Sequence, residues 1–146
     1  MTPHGRLNLI CVSIAAVPFM LTGIAWHLLR DEDWHPLLDD VGLLPELLTL
    51  MGVIAILMAF TIRGITAARA ARSPTQPWLA AYVLGTILTF AVLEAAAIVG
   101  LVVTLLVGDL LWSVAMSTLS LLAMGVAWPT STRFRHWQAR GAGPKD

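Results

Sequence analysis

Glu94 is the residue that most invites chemistry, because it stands inside a long apolar run that contains no other acid. An ionised carboxylate at mid-membrane depth costs roughly 2.5–3.5 kcal/mol on insertion scales. Glu94 is therefore expected to be protonated, paired, or turned toward a wet cavity. Two roles stay open for it. It can bind and release a proton or cation, or it can donate a hydrogen bond across a helix interface and so specify packing. No Lys or Arg falls within a predicted span as a partner. The candidates left are the hydroxyls of Thr61, Thr86, Thr89, Ser113, Ser117, Thr118 and Ser120, with Tyr82 and His27 near helix ends.

The other titratable residues cluster differently. Asp31, Glu32, Asp33, Asp39, Asp40 and Glu46 follow the first apolar run, with His27 and His35 close by. Imidazole and carboxylate are common metal ligands, but no helical His/carboxylate spacing organises these. The segment reads as a solvated loop, and no metal is expected. Cys11, the single cysteine, lies in an apolar run and has no second cysteine to pair with.

These residues must be positioned by membrane helices. Of 146 residues, 58% are hydrophobic and 12% charged, with mean hydropathy +0.79; a soluble domain carries about 25% charged residues. A spanning helix needs about 20 mostly apolar residues. Four runs qualify: Leu7 to Leu29, Leu43 to Ile62, Trp78 to Val107 and Leu110 to Trp128. The third exceeds what a bilayer requires, so it must tilt or extend into the headgroups. The first exceeds the apolar core of a signal peptide and lacks a small-x-small cleavage site, so it reads as retained. Pro18 predicts a kink within it. Pro129 stops the fourth, and residues 130–146 are expected to form a mobile tail.

Charge placement predicts the topology. Arg6, Arg63, Arg69, Arg72, Arg133, Arg135, Arg140 and Lys145 fall on one side of a four-crossing chain, and Arg30 alone on the other. The positive-inside rule then makes both termini cytoplasmic. Trp26, Trp34, Trp78, Trp112 and Trp128 lie near predicted helix ends, where indoles anchor at the interface. The expected fold is an all-α integral membrane four-helix bundle in one domain. Along the third helix Gly85, Thr89, Ala96, Gly100 and Thr104, followed by Gly108, fall roughly on one face. Small residues there permit close helix approach, so this face is the predicted packing seam, with Glu94 at its border.

The stretch Glu94-Ala95-Ala96-Ala97-Ile98-Val99-Gly100-Leu101-Val102 resembles the second helix of the c subunit (proteolipid) of rotary ATP synthases. The preceding Ala71-Arg72-Ser73-Pro74 is similar to that family's cytoplasmic Arg-x-Pro loop. The resemblance implies a helical hairpin with Glu94 as proton carrier. The match is confined to these stretches: the helix before the loop offers only Gly52 where the family is glycine-rich, and two further helices flank the hairpin. More broadly, the chain resembles small four-helix bacterial membrane proteins of unassigned function, which implies the inner membrane as its location.

Several function classes lack their residues. There is no Gly-x-Ser-x-Gly, no paired mid-membrane carboxylates, and no second mid-helix His for a bis-His haem. No enzyme activity or cofactor is expected. The basic residues are spread over three short segments, which disfavours nucleic acid. The expected partners are the lipid bilayer and a second copy or another membrane protein. The expected function is that of an interaction or accessory component, with proton or cation handling through Glu94 as the alternative.

Overall fold

The computed structural model describes residues 2–31, 34–37, 42–72 and 78–141. Those residues form five α-helices and no strand: α1 (Pro3–Leu29), α2 (Leu44–Arg72), α3 (Trp78–Val107), α4 (Leu110–Ala127) and α5 (Ser131–Gly141). Within α1 to α4, the segments Pro3–Leu29, Leu44–Thr66, Leu79–Val107 and Leu110–Ala127 are long and apolar enough to cross a membrane.

Local chemistry sets the helix ends. The Thr2 hydroxyl accepts from the Gly5 N–H at 3.2 Å, with Pro3 opening α1, where a missing N–H costs nothing. Helix α1 runs unbroken through Pro18. Between α3 and α4 there are only two residues. Gly108, at φ +80°, closes α3 by donating its N–H to the Thr104 carbonyl at 2.8 Å, the left-handed end that glycine permits. Asp109 then caps α4, its carboxylate accepting from the Leu111 N–H at 2.9 Å; an acceptor there satisfies a free donor of the first turn. The first loop lies over this connection. Pro36 and Trp34 stand against Gly108, and the Leu37 N–H donates to the Leu105 carbonyl at 3.3 Å.

Two elements differ from the hydropathy pattern. Helix α2 continues past the predicted Ile62 to Arg72, because Ala67, Ala68, Ala70 and Ala71 sustain helix after the apolar run ends. The tail expected to be mobile from Thr130 instead folds into α5 through Gly141. Thr130 begins it, accepting the Arg133 N–H on its hydroxyl at 3.3 Å. Residues 142–146 lie outside the described residues.

Helix α3 is the hub, packing on α1, α2, α4 and α5. Helices α1 and α2 flank α3 and α4 and share no extensive contact with each other. Hydroxyls tie the centre together. Ser120 donates to the Leu93 carbonyl at 2.6 Å, and the Ser113 N–H donates to Thr104 Oγ1 at 2.8 Å. Thr22 Oγ1 lies 3.0 Å from both the Pro18 carbonyl and Ser117 Oγ. Its one proton serves the first, and the Ser117 hydroxyl can donate back.

Candidate functional site

The five predicted seam residues all lie in the buried arc of α3. They do not serve one neighbour. Gly85 faces α2, where an added Cβ would meet Thr66 Oγ1 at 2.5 Å. Thr89 also turns to α2, its hydroxyl 2.7 Å from the Gly85 carbonyl and 3.4 Å from that of Ala59. Gly100 and Thr104 face α4, through Met116, the Trp112 carbonyl and Ser113. The small residues thus allow two helices to approach α3 on adjoining sides. Gly52 repeats the device on α2, with Met116 and Val99 against it.

Glu94 is half-buried. It stands eleven residues beyond Val83, about three turns of helix, on a stripe shared with Ile87, Leu101 and Leu105, all half-buried. That stripe is the margin between the buried arc and the open side of α3. Among the described residues Glu94 has no hydrogen bond or ion pair. Five of the hydroxyls considered for it are engaged elsewhere, while that of Ser113 is buried without a hydrogen bond. Thr61 and Thr86 donate to the carbonyls of Leu57 (3.2 Å) and Tyr82 (2.8 Å) on their own helices, and Thr89 to that of Gly85. Ser117 meets Thr22, and Ser120 meets the Leu93 backbone. Thr61, Thr86 and Thr89 thus bond the carbonyl four residues back, as helical Thr readily does, whereas Ser117 and Ser120 are held across to α1 and α3.

Beyond Glu94, α3 presents an uncovered face. Leu84, Leu88, Ala91, Ala95, Ile98 and Val102 are all exposed, the four larger side chains by 40 to 56%. Their spacing alternates four and three residues, the repeat of a helix–helix seam. Two alanines occupy its middle, where a second helix could come nearest.

A feature the residue types did not reveal lies at the other end of α4. Arg63, read only as a topology determinant, donates through Nη1 to the Ala127 carbonyl. Arg133 donates to the carbonyls of Val126 at 2.6 Å and Trp128 at 3.3 Å. Two guanidinium groups therefore occupy carbonyls that a helix C-terminus leaves unpaired, where positive charge is also favoured by the helix dipole. Cys11 and Tyr82 stand around Arg63. Phe134 of α5 fits between His4 and Tyr82, with ring centroids at 5.3 and 5.6 Å. The signal in the sequence was the alanine-rich continuation of α2, which keeps Arg63 on a helix and inside the bundle.

Among the described residues no group of three His, Cys, Asp or Glu side chains is placed to hold a metal ion. Glu32, Asp33, Asp39 and Asp40 lie outside the described residues. No family model, curated protein or solved structure matches the chain.

Proposed function

We propose that this protein is a non-enzymatic interaction component of a cell membrane, which receives the helix of a second copy or of another membrane protein on the open face of α3. The observation that carries this reading is the exposed Leu84, Leu88, Ala91, Ala95, Ile98 and Val102 stripe on the helix that otherwise organises the fold. An apolar face alone gains nothing by leaving lipid, since acyl chains are equally apolar. A four-three repeat with small residues at its centre gains close van der Waals packing as well. A cytoplasmic position for both termini is part of this proposal, supported by the eight basic residues that a four-crossing chain gathers on one side and by the positive-inside rule.

The test is cysteine cross-linking in membranes. With Cys11 replaced by Ser, single cysteines at Ala91 and Ala95 are expected to give cross-linked species, and one at the exposed Leu122 of α4 is not. Equal cross-linking at all three positions indicates random collision and refutes the reading. Proton or cation handling is the second reading. It is favoured by Glu94 standing without a protein partner at the edge of the same face. Glu94→Gln that folds normally but abolishes proton flux in vesicles supports it; unchanged flux, or no flux in the parent protein, removes it.

A further inference from the structure

We infer that the groove between α1 and α3 at the arginine-rich end is a binding site for one anionic phospholipid, the acyl chain lying in the groove and the phosphate on Arg6. The groove is open along its outer side, has a volume of about 470 Å³ and is lined by Pro3, Arg6, Leu7, Ile10, Leu79 and Val83. On α1 the lining residues recur at three- and four-residue spacing, and on α3 four residues apart, so both walls are continuous helix faces. Five of the six side chains are apolar. The sixth is an exposed guanidinium with no hydrogen bond or ion pair among the described residues. One cation at the rim of an apolar trough is complementary to an amphiphile with an anionic head.

The surrounding charge selects the head. Arg63 and Arg133 lie toward the same end of the bundle, their guanidinium groups already on α4 carbonyls, which leaves Arg6 as the groove's own contact for the head. The described carboxylates, Asp31, Glu46, Glu94 and Asp109, lie at the other end or at mid-span. A lipid of net negative charge is attracted by this field, whereas a zwitterionic lipid brings a competing cation with its phosphate. A basic side chain near an anionic lipid surface contributes about fivefold in affinity. Arginine adds planar, forked donors that match phosphate oxygens. The site is separate from the open face of α3, so it stands or falls independently of the interaction role.

The test uses the full chain purified in detergent, titrated with phosphatidylglycerol, phosphatidylcholine or inorganic phosphate and read by native mass spectrometry. The parent protein is expected to retain one phosphatidylglycerol, about fivefold more readily than phosphatidylcholine, and no inorganic phosphate. Arg6→Gln is expected to abolish the preference between headgroups while keeping residual binding of both lipids. Val83→Phe, which fills the trough, is expected to lose both; Ile10→Phe on the other wall replaces it if Val83→Phe does not fold. Arg135→Gln, outside the groove, is expected to leave retention unchanged. Headgroup preference surviving in Arg6→Gln, or lost equally in Arg135→Gln, overturns the site in favour of diffuse surface attraction. Retention of inorganic phosphate alone overturns the role of the groove.

Discussion

Replacing Gly100 by alanine should separate α3 from α4. A Cβ built there falls 2.5 Å from Met116 Cβ and 3.1 Å from the Trp112 carbonyl oxygen. Favourable contacts between carbon atoms begin near about 3.5 Å, so the new methyl must gain roughly 1 Å. Neither obstacle is the end of a flexible side chain: one is a Cβ and the other is backbone, so relief requires α4 itself to move. Overpacking of this kind costs about 1–3 kcal/mol. The hydrogen bond from the Ser113 N–H to Thr104, one turn further along α3, spans the same interface and would lengthen with it. A loss of about 2 kcal/mol corresponds to roughly a thirtyfold shift in the unfolding equilibrium. Equilibrium unfolding in mixed micelles, titrated with a denaturing detergent and followed by circular dichroism, measures it. Gly125→Ala is the internal control, since nothing lies within 4 Å of its added Cβ; it should be neutral or stabilise by up to about 1 kcal/mol. Gly52→Ala should fall between them, because its closest obstacle is the mobile Cε of Met116 at 2.5 Å. Equal stabilities for Gly100→Ala and Gly125→Ala would refute the close approach of α3 and α4.

Three further outcomes follow from the same packing. Ser120→Ala removes the bond to the Leu93 carbonyl and should cost about 0.6 kcal/mol, rising to about 1.7 at most; the unfolding titration that reads Gly100→Ala reads this too. Arg63→Met keeps the long side chain but withdraws the donor from the Ala127 carbonyl, with an expected loss of about 1–3 kcal/mol. Hydrogen exchange at the last turn of α4 should accelerate in that variant, and unchanged protection there would show that the guanidinium is dispensable. Phe134→Ala removes the ring packed between His4 and Tyr82. Helix α5 should then become sensitive to a protease cutting at Arg135 while α1 to α4 stay resistant, and continued resistance of α5 would show that other contacts dock it.

Hydropathy located α3 and α4 to within a residue because their ends coincide with changes in composition: Gly108 and Asp109 at one boundary, Trp128 and Pro129 at another. It misplaced the end of α2 because the apolar run and the helix end at different residues. Lipid sets the first limit at Ile62, and helix propensity sets the second at Arg72. Helix α5 was illegible for the converse reason, since Arg133 and Phe134, which tie it to the bundle, make tertiary contacts from within a polar segment. The position of Glu94 along α3 could be read by counting, and so could the small-residue face. Which neighbour each small residue serves could not. Gly85 and Gly100 lie on the same broad face, yet one admits α2 and the other α4. Thr61, Thr86 and Thr89 failed as partners for Glu94 because a helical Thr has a carbonyl within reach on its own backbone, and Ser117 and Ser120 because another helix takes them, a competition that residue types alone do not resolve.

The two-residue connection between α3 and α4 also governs where the surplus length of α3 must go. Helix α3, with 30 residues, is about 45 Å long at 1.5 Å per residue, and α4, with 18, about 27 Å. Joined at Gly108 and Asp109, they are flush at that end, so α4 alone nearly measures out a hydrocarbon layer of about 30 Å. The difference of about 18 Å emerges, less whatever tilt absorbs, at the end where α2 also overruns its apolar run and α5 begins. If α4 measures the layer, a small collar of helix ends stands proud of it on that side, carrying Arg63, Arg133 and Arg135.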